Sequence, residues 1–147
     1  MKILVCNDGS TAGTKVMERA AEIVGERKDM DVTVIHVYEK KTLYRGVNVD
    51  YLRMTKEEYD SIIKVGKLAG KKILDDAVRF FKEKNIPVKT ILQGGHPAQT
   101  IVAAAQEGGY DLIIIGRRGM SGLNRLFLGS VSNAVLQEAK TDVLLIK

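Results

Sequence analysis

The most informative feature of this chain is the stretch Leu112-Ile-Ile-Ile-Gly-Arg-Arg-Gly119, followed after nine further residues by Gly129-Ser130. The apolar run predicts a buried strand, and residues 131–139 predict a helix directly after the serine. Glycines at such a junction allow backbone N–H groups to approach an anion closely. The N-terminus of the helix adds positive potential at the same place. This pattern therefore predicts a phosphate cradle, and hence a nucleotide-binding domain.

The rest of the chain alternates short apolar runs with helical patterns. The runs are nearly continuous, as in parallel strands covered on both faces, and they are Ile3–Cys6, Val32–Tyr38, Val88–Leu92, Leu112–Ile115 and Val143–Ile146. Helical spacing between them predicts helices from about Ala12 to Arg27, Lys56 to Lys84, Pro97 to Glu107 and Val131 to Ala139. The order predicts an α/β fold, a doubly wound, Rossmann-like parallel sheet with helices on both faces.

Length and composition limit the possible classes of protein. The chain has 147 residues, 45% hydrophobic and 28% charged, and we assign all of residues 1–147 to one globular domain. No apolar run approaches the ~20 residues of a membrane span, so we expect no membrane insertion. The lone cysteine, Cys6, excludes an intrachain disulfide and indicates a reducing compartment, the cytoplasm. The net charge of +5 favours anionic ligands, but acidic residues lie among the basic ones, so we expect no nucleic-acid partner.

Two loops are suited to ligand binding, because ligands of open α/β sheets lie beyond the carboxyl ends of strands where the strand order reverses. One loop is Asn7–Ser10 and the other is Gly116–Ser130. Asp8 in the first loop is a candidate to accept a hydrogen bond from a base or sugar, or to hold a metal ion such as Mg²⁺. The second loop and the start of the following helix could bind phosphates through backbone N–H groups, serine hydroxyls and arginine side chains. The residues that supply these groups are Gly116, Arg117, Arg118, Gly119, Gly129, Ser130, Val131 and Ser132.

Each of these residues also has a purely structural interpretation. Gly129-Ser130 is equally a loop end with a helix-capping serine, and Asp8-Gly9 is a common turn pair. Only the full spacing between a strand and a helix favours phosphate binding. The two histidines, His36 and His96, have no partner at metal-ligand spacing, so we expect a core or strand-end position for the first and a helix entry for the second.

The chain resembles the universal stress protein family over essentially its whole length. The similarity lies in Ile3-Leu-Val-Cys-Asn-Asp-Gly-Ser10, in Ile35-His-Val-Tyr38 and in Gly94-Gly-His-Pro-Ala-Gln-Thr-Ile101. The set Gly116, Gly119 and Gly129-Ser130 matches the motif of the ATP-binding branch of the family. One departure is Thr141-Asp142, where the family usually has proline before the last strand.

This resemblance implies the strand order 3-2-1-4-5 and a homodimer joined through the last strands. It also implies an adenine near Asp8 and the backbone of Val37. The phosphates of ATP or AMP are then expected along the second loop, at Gly116, Arg117, Gly119, Gly129, Ser130, Val131 and Ser132.

Three functions remain open at this point. The first is a cytoplasmic regulator that binds ATP or AMP, with the irregular stretch Glu39–Thr55 as the element that responds. The second is a slow ATP hydrolase or phosphotransferase, for which no convincing general base is present. The third is a partner-binding module with a vestigial nucleotide site, which the intact glycine set disfavours.

Overall fold

The computed structural model describes residues 1–38, 55–117 and 128–147. The elements alternate strictly, as β1 (Lys2–Cys6), α1 (Thr11–Val24), β2 (Asp31–Tyr38), α2 (Lys56–Glu83), β3 (Val88–Gly94), α3 (Pro97–Gly108), β4 (Leu112–Gly116), α4 (Ser130–Glu138) and β5 (Asp142–Ile146). Residues 39–54 of the predicted irregular stretch, together with Arg118 and Gly119, lie outside the described ranges. No helix in the described ranges is long and apolar enough to cross a membrane.

The strands form one five-stranded sheet in the order β3-β2-β1-β4-β5, with every pair parallel. This order confirms the predicted doubly wound fold. The strand order reverses between β1 and β4, where Ile3 lies beside Leu112 and Val5 beside Ile114. The loops that follow β1 and β4 therefore leave the sheet at neighbouring points of its carboxyl edge.

Alternate side chains along the strands belong to two apolar layers, one on each face of the sheet. Ile3 and Val5 of β1 face the layer made with α1 and α2, whereas Leu4 and Cys6 face the layer made with α3 and α4. Both layers are closed to solvent at their centres, since Val5, Leu4, Val16 and Val135 have no exposed surface. Because each strand of the centre is covered on both faces, its sequence is apolar without alternation, as predicted.

The helices differ from their predicted limits in detail. The first ends at Val24 rather than Arg27, because the chain turns at Gly25, whose φ is +50°. The fourth begins at Ser130 rather than Val131, with Gly129 as the N-cap residue and no side-chain cap. Ser10 is the N-cap residue of α1, and its side chain accepts a hydrogen bond from the Gly13 N–H.

The packed face of α2 is narrower than the sequence predicts. The apolar residues Tyr59, Ile62, Ile63, Ala69, Ile73, Ala77, Phe80 and Phe81 recur at helical spacing and predict one apolar stripe. Tyr59 and Ala69 are nevertheless exposed, whereas Gly70, Leu74, Ala77 and Phe81 are buried. The helix approaches the sheet closely at Gly70, where a Cβ would lie 2.6 Å from Leu92 Cδ1 and 2.7 Å from His36 Cδ2. A residue without a side chain therefore allows close contact between α2 and the sheet at this point.

Candidate functional site

The loop after β1 is organised by hydrogen bonds from its own side chains. Asp8 Oδ1 accepts from the Ser10 N–H at 3.0 Å and from Ser10 Oγ at 2.5 Å, and Ser10 Oγ in turn accepts from Gly13 N at 3.2 Å. The turn that Asp8-Gly9 predicts is therefore present, with Gly9 at φ +80°. The other carboxylate oxygen, Asp8 Oδ2, makes no hydrogen bond within the described residues. Asp8 itself is half-buried at the carboxyl edge of the sheet.

Asn7, which the sequence analysis did not assign a role, joins this loop to the surrounding elements. It is 5% exposed, its Oδ1 accepts from Gly9 N at 3.0 Å, and its Nδ2 lies 3.3 Å from Met17 Sδ in α1. Its N–H donates to the Ile35 carbonyl at 3.0 Å. The signal in the sequence was an amide residue directly after an apolar strand, since a buried amide needs several hydrogen-bond partners.

The carbonyl of Asn7 accepts from His36 Nδ1, at 2.8 Å. His36 is 8% exposed and lies between the sheet and α2, which confirms its predicted core position. His96 begins α3 as its N-cap residue, as predicted, without a side-chain cap. A carbonyl oxygen only accepts, so His36 Nδ1 carries a proton in this arrangement.

The end of β2 presents backbone groups to the same edge. Cys6 is the last residue of β1 and pairs with Ile35, so β2 continues past the end of β1 through Val37 and Tyr38. The Ile35 carbonyl faces β1, where it accepts from Asn7, and the Tyr38 carbonyl faces β3, where it accepts from Gly95. Because backbone groups alternate along a strand, the N–H and C=O of Val37 point to the β1 side, beyond the last residue of β1.

On the other side of the reversal, β4 and α4 are held by hydrogen bonds around Arg117. The Arg117 N–H donates to the Ile146 carbonyl at 2.7 Å, and the Arg117 carbonyl accepts from Gly129 N at 2.9 Å and from Ser132 Oγ at 2.9 Å. Ser132 Oγ also lies 3.0 Å from the Gly129 carbonyl. The Gly129 N–H and the Ser132 hydroxyl, both predicted phosphate donors, therefore already have acceptors within the protein.

The remaining predicted donors lie at the start of α4. The first hydrogen bond of the helix is from Asn133 N to the Gly129 carbonyl, at 2.9 Å. In the described part of the chain, the N–H groups of Ser130, Val131 and Ser132 have no acceptor, as is usual in a first helical turn. These groups and the helix dipole make this end of α4 favourable for an anion.

The structure thus brings most of the predicted site to one edge of the sheet. Asp8 and Val37 lie at the ends of β1 and β2, and Gly116 and Arg117 lie at the end of β4, which neighbours β1. The group Gly129, Ser130, Val131 and Ser132 lies at the start of α4. Gly119 is outside the described residues.

Two further observations concern side chains that could bind a metal ion or react as a nucleophile. No group of three or more His, Cys, Asp or Glu side chains that could hold a metal ion occurs among residues 1–38, 55–117 and 128–147. Burial, with a smaller effect from Asp8, raises the pKa of the Cys6 thiol well above its ordinary value. A thiol of this kind is inert, as expected for a core residue.

Comparison with known proteins is consistent with the fold. A model of the universal stress protein family matches residues 1–147. The universal stress protein YxiE of Bacillus subtilis is 32% identical over 146 residues, which are 99% of this chain and 98% of that protein. The chain belongs to the universal stress protein family.

Solved structures of the family share the architecture. The structure of MJ0577, from Methanocaldococcus jannaschii, matches with a TM-score of 0.83 at 23% identity and covers 99% of this chain and 94% of that one. The universal stress protein of Archaeoglobus fulgidus in complex with dAMP matches with a TM-score of 0.65 at 25% identity, covering 100% of this chain and 98% of that one. Other structural neighbours have AMP or cAMP bound.

Proposed function

We propose that this protein is a cytoplasmic regulator that binds an adenine nucleotide, ATP or AMP, as a homodimer. The observation that carries the proposal is the arrangement at the strand-order reversal. There, the backbone of Val37 projects beyond β1 on one side, and the first N–H groups of α4 lack acceptors within the described residues on the other. The dAMP, AMP and cAMP complexes of structural neighbours support adenine nucleotides as the ligand class.

The two halves of this site suit different parts of a nucleotide. A peptide N–H and C=O side by side match the donor and acceptor pattern of a purine edge, and the Asp8 carboxylate adds a further acceptor. The start of α4 suits phosphate oxygens, because its N–H groups and the helix dipole act together. Asp8, Val37, Gly116, Arg117, Gly119, Gly129, Ser130, Val131 and Ser132 form the proposed binding set, with Mg²⁺ entering alongside ATP.

The homodimer proposal depends on β5, at one edge of the sheet. Val143, Leu144, Leu145 and Ile146 are only half-buried, although all of them are apolar. An apolar edge strand with unpaired backbone groups is a template for association. Pairing of β5 with its copy in a second subunit would cover these side chains.

Calorimetric titration with ATP, ADP, AMP and tripolyphosphate tests the nucleotide proposal. The matched variant is Gly129→Val, because Gly129 has φ −63° and ψ 149°, a conformation that any residue adopts, so the variant is expected to fold. We expect the wild type to bind ATP and the variant to lose at least about tenfold in affinity, because a valine side chain at the N-cap of α4 would hinder the approach of phosphate to the N–H groups of the first turn. Absence of binding to every nucleotide would favour the partner-binding module with a vestigial site. Release of ADP from the same samples, lost in the variant, would favour the hydrolase.

A further inference from the structure

The Val37 N–H has a natural acceptor inside the protein that it does not use. Hydrogen bonds in a parallel ladder are evenly spaced. Each residue of β2 whose backbone faces β1 donates its N–H to one residue of β1, and its carbonyl accepts from the residue two positions further along β1. Asn7 N donates to the Ile35 carbonyl at 3.0 Å, which fixes the register at the end of β1. The next bond in this series would run from the Val37 N–H to the Asn7 carbonyl. That bond is not among those that residues 1–38 make.

His36 takes the place of Val37 as the donor to Asn7. Its Nδ1 lies 2.8 Å from the Asn7 carbonyl oxygen. The His36 side chain extends on the α2 side of the sheet, where Gly70 lies against its ring. The carbonyl that would continue the ladder is therefore directed out of the plane of the sheet, and the Val37 N–H remains at the carboxyl edge.

Several contacts hold this arrangement in place. Asn7 Oδ1 accepts from Gly9 N at 3.0 Å, and Asn7 Nδ2 donates to Met17 Sδ at 3.3 Å. Both polar atoms of the side-chain amide are therefore held in place. A Cβ at Gly70 would lie 2.7 Å from His36 Cδ2, which shows how closely α2 confines the imidazole ring. Gly13 of α1 similarly leaves the space that Asn7 Oδ1 occupies.

We infer that His36 is a positioning residue of the nucleotide site, because its hydrogen bond to the Asn7 carbonyl keeps the Val37 N–H available to the base of an adenine nucleotide. The inference rests on the proposed function for the identity of the ligand. The geometry of the protein on which the inference depends is independent of the proposed function and can be tested without any ligand.

The geometric test is amide exchange of the ligand-free protein, followed by NMR. The variants are His36→Leu, which removes the donor, and His36→Asn, whose side-chain amide places a donor near the position of Nδ1. We expect the Val37 amide to exchange rapidly in the wild type and in His36→Asn. In His36→Leu it should become at least about tenfold more protected, because the Asn7 carbonyl returns to the ladder. The Asn7 amide, which donates to Ile35 at 3.0 Å, is the internal reference.

The binding test compares ATP with tripolyphosphate, which carries the same phosphate chain without the nucleoside. We expect His36→Leu to lose about five- to tenfold in affinity for ATP, the value of one hydrogen bond, and to keep its affinity for tripolyphosphate. His36→Asn should restore the affinity for ATP. Loss of both ligands in equal proportion would mean that His36 serves only the general stability of the fold, and would overturn the inference.

The two proposals fail in different ways. A wild-type protein that binds neither ATP nor tripolyphosphate contradicts the proposed function, while the exchange of the Val37 amide still decides the geometry. Slow exchange of this amide in the ligand-free wild type overturns the positioning role even where ATP binds, and this result does not require that His36→Leu folds. Failure of His36→Asn to restore ATP binding, with the Val37 amide unprotected, also counts against it.

Discussion

The hydroxyl of Ser132 donates to the carbonyl oxygen of Arg117 across 2.9 Å, and this bond ties the first turn of α4 to the end of β4. Ser132 is 2% exposed, so water does not compete for the bond. The Gly129 N–H donates to the same carbonyl at 2.9 Å. Together the two bonds set where the N-terminus of α4 lies relative to the carboxyl edge of the sheet.

Replacement of Ser132 by alanine should therefore lower the free energy of unfolding by about 1–2 kcal/mol, the cost of losing a buried hydrogen bond. It should also weaken ATP binding, because the first turn of α4 is less firmly held. Ser130→Ala is the control, since Ser130 is exposed and its hydroxyl makes no hydrogen bond within the described residues. Urea unfolding of both variants measures the difference. Equal losses in the two variants would contradict the role of the Ser132 bond.

A second prediction concerns the contact between α2 and the sheet. Gly70→Ala should destabilise the protein by about 1–3 kcal/mol, because the new methyl group overlaps Leu92 and His36 in a packed core. Gly66→Ala, one helical turn earlier, should be neutral or stabilising by up to about 1 kcal/mol. Its Cβ would lie 3.6 Å from Tyr38 Cδ2, an ordinary contact, and alanine is the better helix former. Chemical denaturation distinguishes the two, and a Gly70→Ala variant as stable as Gly66→Ala would show that α2 can move away at no cost.

The buried thiol of Cys6 should make stability depend on pH in alkaline solution. Burial raises the pKa of Cys6 in the folded protein above its ordinary value of 9.0, so the thiol ionises more readily in the unfolded chain. The contribution to stability is fully present below pH 9.0 and is lost as the pH rises above it. We expect the difference in unfolding free energy between wild type and Cys6→Ala to fall by about 1.4 kcal/mol per pH unit in that range.

Unfolding curves of the two proteins at pH 8 to 10.5, measured in urea, provide this comparison, because titration of the other groups cancels in the difference. A pH-independent difference would mean that the thiol ionises equally easily in both states. Reaction with a thiol reagent gives a second measure. At pH 8 the native protein should react far more slowly than the protein in denaturant.

The proposed dimer can be tested at the two edges of the sheet. A lysine in place of Leu145, in the β5 edge strand, should convert the homodimer to a monomer, because a charge at an edge strand opposes pairing. Thr90→Lys places the same charge on β3, the opposite edge, where Thr90 is exposed, and should leave the dimer intact. Light scattering coupled to size-exclusion chromatography measures the mass. A monomeric wild type would refute the dimer. Dissociation by Thr90→Lys would show that the interface lies at the β3 edge and not at the β5 edge.

Much of the fold was predictable from local pattern. Five continuous apolar runs, each followed or preceded by helical spacing, are compatible with few arrangements other than a parallel sheet covered on both faces. The strand order came from the resemblance to a known family, whereas the position of the site came from the two loops, Asn7–Ser10 and Gly116–Ser130, that follow the first and fourth predicted strands. The structure agrees with the order, and β1 and β4, after which the two loops begin, are neighbours in the sheet.

Other features were not predictable because they depend on contacts between distant segments. The exposed face of α2 is an example, since Tyr59 and Ala69 fit an apolar stripe by spacing. In the structure, however, the buried residues of the helix are Gly70, Leu74, Ala77 and Phe81. The end of α1 at Val24 depends on the turn at Gly25, which helical spacing alone does not reveal.

The order of the amino acids alone determined an alternating α/β architecture and predicts the point along the chain where a phosphate binds, because hydrophobic periodicity and glycine spacing are local properties. Only the tertiary structure decided that His36 bonds to the carbonyl of Asn7, a residue 29 positions away, and that Ser132 bonds to Arg117. Such bonds form only when packing of the helices on the sheet brings donor and acceptor together, and no short-range sequence pattern predicts these contacts.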